Sequence, residues 1–258
     1  MQFLLLLASM ASMALAAPPG WSADTAKFYS GVSKEIRNAR NSNRQQPQCD
    51  FTRAVLPSTD KPLPQVPEGQ KLLHVAIGRG TQNYTCTSPN SKERLTKPKA
   101  TGALATLYSA TCLAATYPYL LSLLPNIALQ LTNPPYSPIR NPSSDPSTTF
   151  GPNAMPVIGY HYFSGEGVPI FDLLADGHAA VEKIEGVDAP KGAMAGVGEH
   201  VHGAVPWLFL AGVEGNEGKA KSVYRVNTAG GTAPGSCEEV EDGKEAVVEY
   251  AAEYWFFG

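Results

Sequence analysis

The chain has 258 residues, with 20 Lys and Arg against 23 Asp and Glu and a formal net charge of −3. So even a balance, without a basic stripe, argues against a nucleic-acid partner. The length suits one large domain or two small ones, and beyond the N-terminus no apolar run is long enough to predict a membrane span.

Residues 1–17 read MQFLLLLASMASMALAA. An apolar run leads into the small residues Ala14, Leu15 and Ala16, an A-x-A pattern that predicts a secretory signal peptide cut after Ala16 or Ala17. The expected protein is therefore secreted and extracellular. Ser22 is placed to cap a helix, and Phe28, Val32, Ile36 and Ala39 recur at helical spacing, which predicts a helix over 22–40. Pro57, Pro62, Pro64 and Pro67 then favour extended backbone, so residues 18–69 read as a helical extension and a Pro-rich strap.

From Gln70 onward short apolar runs alternate with Gly, Pro and Asn. Strands are expected at 71–77, 81–87, 103–108, 157–163, 168–173, 179–184, 205–211, 222–227 and 247–256. Their regular turn signals predict an all-β, mainly antiparallel domain over 70–258, a β-sandwich first and a barrel second. Two segments interrupt it. Residues 112–131 are Ala/Leu-rich and read as a partly helical insertion broken by Pro118 and Pro125, and 132–156 form a long Pro/Ser loop.

The stretch VAIGRGTQNYTC, from Val75 to Cys86, raises a dinucleotide-binding turn as a possibility. That fingerprint needs G-x-G-x-x-G and then a helix whose N-terminus holds the pyrophosphate. Asn83 stands where the third glycine belongs, and the residues that follow are β-formers. An NAD-dependent dehydrogenase is thus disfavoured, no cofactor is expected, and the stretch reads as a hairpin turning at Gly78-Arg79-Gly80. Asn83-Tyr84-Thr85 is also an N-x-T sequon, a glycosylation candidate in a secreted chain. Cys49, Cys86, Cys112 and Cys237 make an even count, which in that setting points to two disulfides with three possible pairings.

Candidate sites are sparse. His200-Val201-His202 puts two imidazoles on one face of a strand, a weak metal pattern that His161 or His178 could extend, and no metal site is assigned. Ser164 sits before two glycines and misses the nucleophile-elbow pattern. Asp172, Asp176 and His178 are available to a Ser/His/Asp set assembled in space, and Glu166, Asp172 and Asp176 to a carboxylate pair, but the favoured reading is turn residues and a solvated edge. Aromatics are the stronger signal, because rigidly held rings suit stacking on apolar sugar faces. Tyr160, Tyr162, Trp207 and Arg225 are the ligand-binding candidates, with Tyr160 and Tyr162 on one strand face and His161 on the other; Arg225 and Asn227 are expected to share a face.

The stretches HVAIGRGTQNYTC, GALATLYSATCLAA, IGYHYF, VPIFDL, VPWLFLAGVEG, YRVNTAGGTAPGSC and YAAEYWFF carry a family resemblance. From about residue 66 to the C-terminus the chain resembles DUF3455, uncharacterised secreted proteins, in its fungal form. The resemblance implies a secreted all-β domain and supplies no catalytic residue. Some fungal members bear a malate dehydrogenase label, which the missing cofactor fingerprint does not support here. Relatives outside fungi keep cysteines matching Cys86 and Cys237, so the resemblance implies Cys86–Cys237 together with Cys49–Cys112.

The expected function is a non-catalytic module that binds a glycan or cell-wall polysaccharide. A secreted hydrolase with a site assembled across the sheet and a structural surface protein are the alternatives. The oligomeric state is not legible.

Overall fold

Alternating side chains and a continuous ring of strand pairings close eight antiparallel strands into a barrel. The computed structural model describes residues 27, 30–34, 49–86, 98–131, 149–150, 155–198, 201–240 and 244–258. The chain divides into two units, residues 1–44 and 45–258. In the first, Lys27 and residues 30–34 are helical and Val32 is buried. Phe28, Ile36, Ala39 and the expected signal peptide lie outside the described residues.

In the second unit a 3₁₀ turn at Phe51–Arg53 precedes β1 (Leu72–Thr85), β2 (Lys99–Ser109), α1 (Thr111–Thr116) and α2 (Pro118–Gln130). There follow β3 (Thr149–Phe150), β4 (Met155–Phe163), β5 (Pro169–Leu173), β6 (Gly177–Val187), β7 (Trp207–Gly212), β8 (Ser222–Gly230) and β9 (Glu245–Phe257). The strands lie in the order β2-β1-β9-β8-β7-β6-β5-β4, with β3 as a short addition on β4. Antiparallel pairing of β2 with β4, Leu104 opposite Tyr162 and Thr106 opposite Tyr160, closes the ring.

The all-β expectation therefore resolves into its second form, the barrel, and not the sandwich. The reason is that β2 is hydrogen-bonded on both sides, so closure leaves no edge strand in the ring.

An eight-stranded barrel is just wide enough for side chains to fill. Here small residues on some strands make room for rings on others. Ala76, Ala105, Ala179 and Ala252 share the interior with Phe171, Tyr250, Tyr254 and Phe256, all of them buried. Each large ring removed from water stabilises the fold by roughly 2 kcal/mol. The opposite faces of β1, β7, β8 and β9 carry Val75, Ile77, Trp207, Phe209, Tyr224, Val226 and Trp255. These pack beneath Ala114 of α1 and Leu121, Ala128 and Leu129 of α2. Leu56, Leu63 and Val66 of the Pro-rich strap pack on the same cluster, and Tyr224 donates its hydroxyl to the Pro64 carbonyl at 3.1 Å.

Two local readings change. Gly78-Arg79-Gly80 is not a turn: β1 runs straight through it, paired with β2 on one side and β9 on the other. The glycines serve packing. A Cβ on Gly78 would come within 2.5 Å of the Tyr254 ring, and one on Gly80 within 1.9 Å of the Leu104 carbonyl oxygen. Pro118 separates the two helices by opening α2 at its first turn, whereas Pro125 lies inside α2 and does not break it. A first-turn proline loses no helical hydrogen bond. Pro125 does remove one, and its burial against the barrel compensates.

Arg79 joins helix to barrel. It is 1% exposed. Its Nε donates to the Ala128 carbonyl at 2.9 Å, and a terminal nitrogen donates to Leu129 and Leu131 carbonyls at 3.3 and 3.0 Å and to Glu249 at 2.5 Å. The last turn of α2 has no basic residue of its own, so this guanidinium supplies both the donors and the positive charge that a helix C-terminus calls for. Arg79→Met keeps the volume and orphans these carbonyls; a loss of about 3 kcal/mol in unfolding free energy is expected from urea titration, and an unchanged urea midpoint would refute the assignment.

Candidate functional site

The hydrogen-bond register of β2, β4, β5 and β6 builds one exterior row from residues far apart in sequence. Thr106 lies opposite Tyr160, Tyr160 opposite Asp172, and Asp172 opposite His178. Leu104, Tyr162, Ile170 and Ala180 form the adjacent row. Tyr160 and Tyr162 thus share the outer face while His161 points inward, as alternation requires. Tyr160 packs with Tyr108 and Val157, and Tyr162 lies against this cluster. The Asp172 carboxylate is close enough to both phenols that its charge adds to burial in raising their pKa values. His178 Nδ1 lies 3.5 Å from Asp172 Oδ1, with the two side chains 54% and 32% exposed.

The four ligand-binding candidates separate. Tyr162 remains half-buried on this outer face. Tyr160 does not present its ring to solvent: it is 7% exposed, because Tyr108 and Val157 cover it. Trp207 is 3% exposed, because its position on β7 faces the helix-covered side, where it lies opposite Val187. Among the described residues its indole N–H has no hydrogen-bond partner. Arg225 points into the barrel and donates to the Pro206 carbonyl from Nε at 3.2 Å and from a terminal nitrogen at 3.0 Å. Arg225 and Asn227 do not share a face, because β8 bulges between Val226 and Ala229 and Asn227 adopts φ 44°.

The catalytic alternatives also disperse. Glu166 lies in the turn between β4 and β5, and Asp176 in the turn at the other end of β5. Asp176 accepts from Lys219 at 2.6 Å and contacts His74 Nε2 at 2.5 Å, and these partners hold its carboxyl below the usual range. Among the described residues no hydroxyl is hydrogen-bonded to His178, and no three His, Cys, Asp or Glu side chains converge as metal ligands. His161 and His178 lie on opposite faces of the wall. His202 lies 3.2 Å from Glu239, and His200 is outside the described residues. Asn83 is on β1, where its amide donates to Glu245 at 3.1 Å. Disulfides join Cys49 to Cys112 and Cys86 to Cys237, at S–S distances of 2.05 and 2.10 Å.

Sequence reasoning did not identify His161 and Glu253 as buried ionisable groups. His161 stacks on Phe171 with centroids 4.2 Å apart, its Nδ1 is 2.9 Å from the Ile170 carbonyl oxygen, and burial pushes its pKa down to about 4. The ring is therefore neutral, with Nδ1 carrying the proton. Glu253 is fully buried on the helix-covered side, between Ile77 of β1 and Val226 of β8. It accepts from Asn227 at 2.6 Å and Trp255 at 3.0 Å, with no cation paired to it among the described residues, and burial pushes its pKa up to about 7. Inward positions on strands were legible; which of them would carry a polar group was not.

A raised carboxyl pKa means that the folded state holds its proton after the unfolded state has lost it. The stabilisation is complete below the ordinary Glu value and falls as pH rises towards about 7. Between about pH 4.5 and pH 7 the wild type is expected to lose up to about 3 kcal/mol at this residue, and Glu253→Gln to flatten that slope. Urea unfolding across the range checks this; parallel slopes in the two proteins would contradict it.

Residues 67–258 match the model of a family described as protein of unknown function (DUF3455). Residues 8–64 match a second model, described as protein of unknown function (DUF2990). No curated protein and no solved structure matches the chain.

Proposed function

The chain belongs to the DUF3455 family, and we propose that it is a secreted, non-catalytic module that binds saccharide on the outer face of β4, β5 and β6. The observation that carries this reading is the convergence of the half-buried Tyr162 with Asp172 and the exposed His178 on a rigid wall. An aromatic ring offers a surface for the C–H face of a sugar, and a carboxylate beside it accepts from vicinal hydroxyls. Strands hold these groups more firmly than loops do. The seat is smaller than an aromatic strip: Tyr160 packs beside Tyr162 without offering its own ring, and Trp207 plays no part.

Binding to insoluble fungal and plant cell-wall polysaccharides tests the proposal. Saturable depletion by one polysaccharide is expected, weakened about tenfold by Tyr162→Ala and by Asp172→Asn, with the melting temperature unchanged. Depletion by none of them, or equal depletion of wild type and both variants, would sink it.

Secretion is part of the same reading. Two disulfides suit an oxidising compartment, and among the described residues no helix is long and apolar enough to cross a membrane. Residues 1–17 act as the leader and Asn83 as the glycan acceptor, at the cost of its bond to Glu245. Sequencing the N-terminus of protein recovered from culture medium is expected to begin at Ala17 or Pro18, and a glycosidase-sensitive mass at the Asn83 peptide is expected. An intact Met1 would contradict the first, and an unmodified peptide the second.

A further inference from the structure

Arg225 and Gln82 place polar donors inside the barrel. Arg225 is 9% exposed and meets the Pro206 carbonyl. Its charge also acts on the Tyr254 phenol. Tyr254 Oη lies 2.9 Å from Tyr250 Oη. Beyond Tyr250 stands the Gln82 amide, near enough to polarise that phenol, yet among the described residues its buried Nε2 completes no hydrogen bond. Cation, phenol, phenol and amide thus form one chain across the barrel, contributed by β8, β9 and β1.

Nothing in this set balances the charge. Among the described residues no carboxylate pairs with Arg225. The other titratable groups facing it are His161 of β4, Tyr84 of β1 and Tyr250 and Tyr254 of β9. None of these carries a negative charge near neutral pH. An uncompensated cation in a barrel lined by Phe171, Val223 and Phe256 is costly, and an unpaired amide N–H beside the same phenols adds to the cost. An anion would remove both deficits at once, because a guanidinium and an amide N–H are the donors that bind one. Leu208, opposite Arg225, and Phe163, at the last residue of β4, are part-exposed and mark the end from which it would enter.

We propose that the barrel interior binds a small monovalent anion, a halide or the carboxylate of a small organic acid, between the Arg225 guanidinium and the Gln82 amide. This seat is separate from the outer saccharide face, so each can fail without the other.

The full mature chain, dialysed into an anion-poor zwitterionic buffer, is titrated with sodium chloride, bromide, acetate and butyrate at ionic strength held constant with a sulfate salt. A saturable rise of about 5 °C in melting temperature is expected for at least one of them. Saturation by halides alone identifies an ion seat, and saturation by the carboxylates identifies an organic-acid seat. Arg225→Met is expected to abolish the rise. If that variant does not fold, Gln82→Met is expected to reduce the rise while leaving the protein folded. Bromide-soaked crystals are expected to show an anomalous peak beside Arg225. No saturable shift with any of the four salts, or an equal shift in wild type and Gln82→Met with no bromide peak, would overturn the proposal.

Discussion

One buried guanidinium ties the two layers of this fold together. Arg79 stands on β1, in the middle of the barrel wall, and reaches out to the C-terminus of α2. A helix end carries carbonyls without partners and a partial negative charge, and α2 has no basic side chain of its own to meet them. The glycines on either side serve the same joint. Tyr254 packs on Gly78, and β2 crosses close to Gly80, where any side chain would collide with the Leu104 carbonyl. The G-R-G stretch is thus a packing and charge device, with its glycines facing the core and its arginine facing the helix.

With α2 fixed in place, one half of the barrel's outer surface becomes a second core. Trp207, Phe209, Tyr224 and Trp255 are covered by α1, α2 and the Pro-rich strap. The disulfide from Cys49 to Cys112 ties the segment before the strap to α1, and the one from Cys86 to Cys237 links the ends of β1 and the segment before β9. The wall of β4, β5 and β6 carries Tyr162, Asp172 and His178 away from that core. The two sides of one barrel therefore face different chemistry, and the interior, with its chain from Arg225 to Gln82, is a third environment.

Much of the strand pattern was legible because period-2 alternation and turn residues are local signals. Seven of the expected strands coincide with elements from β2 to β9 except β3, and the other two merge into β1. The merger escaped detection because glycine signals both a turn and a close approach, and only the partners across the sheet distinguish them. The same limit applies to the site. Alternation placed Tyr160 and Tyr162 together correctly, but the cover over Tyr160 and Trp207 comes from Tyr108, Val157 and the helices, which no local pattern reveals. A bulge in β8 likewise separated Arg225 from Asn227.

By itself the sequence determined that the chain is rich in antiparallel strands, that it carries four cysteines, and that Tyr160 and Tyr162 share a strand face. These follow from short-range sterics and spacing. Only the tertiary structure decided that the sheet closes on itself through β2 and β4, that Asp172 and His178 stand beside Tyr162, and that Arg79, Arg225 and Glu253 are buried. Those outcomes depend on which distant strands pair and in which register. A one-residue change in register would send every side chain of a strand to the opposite face.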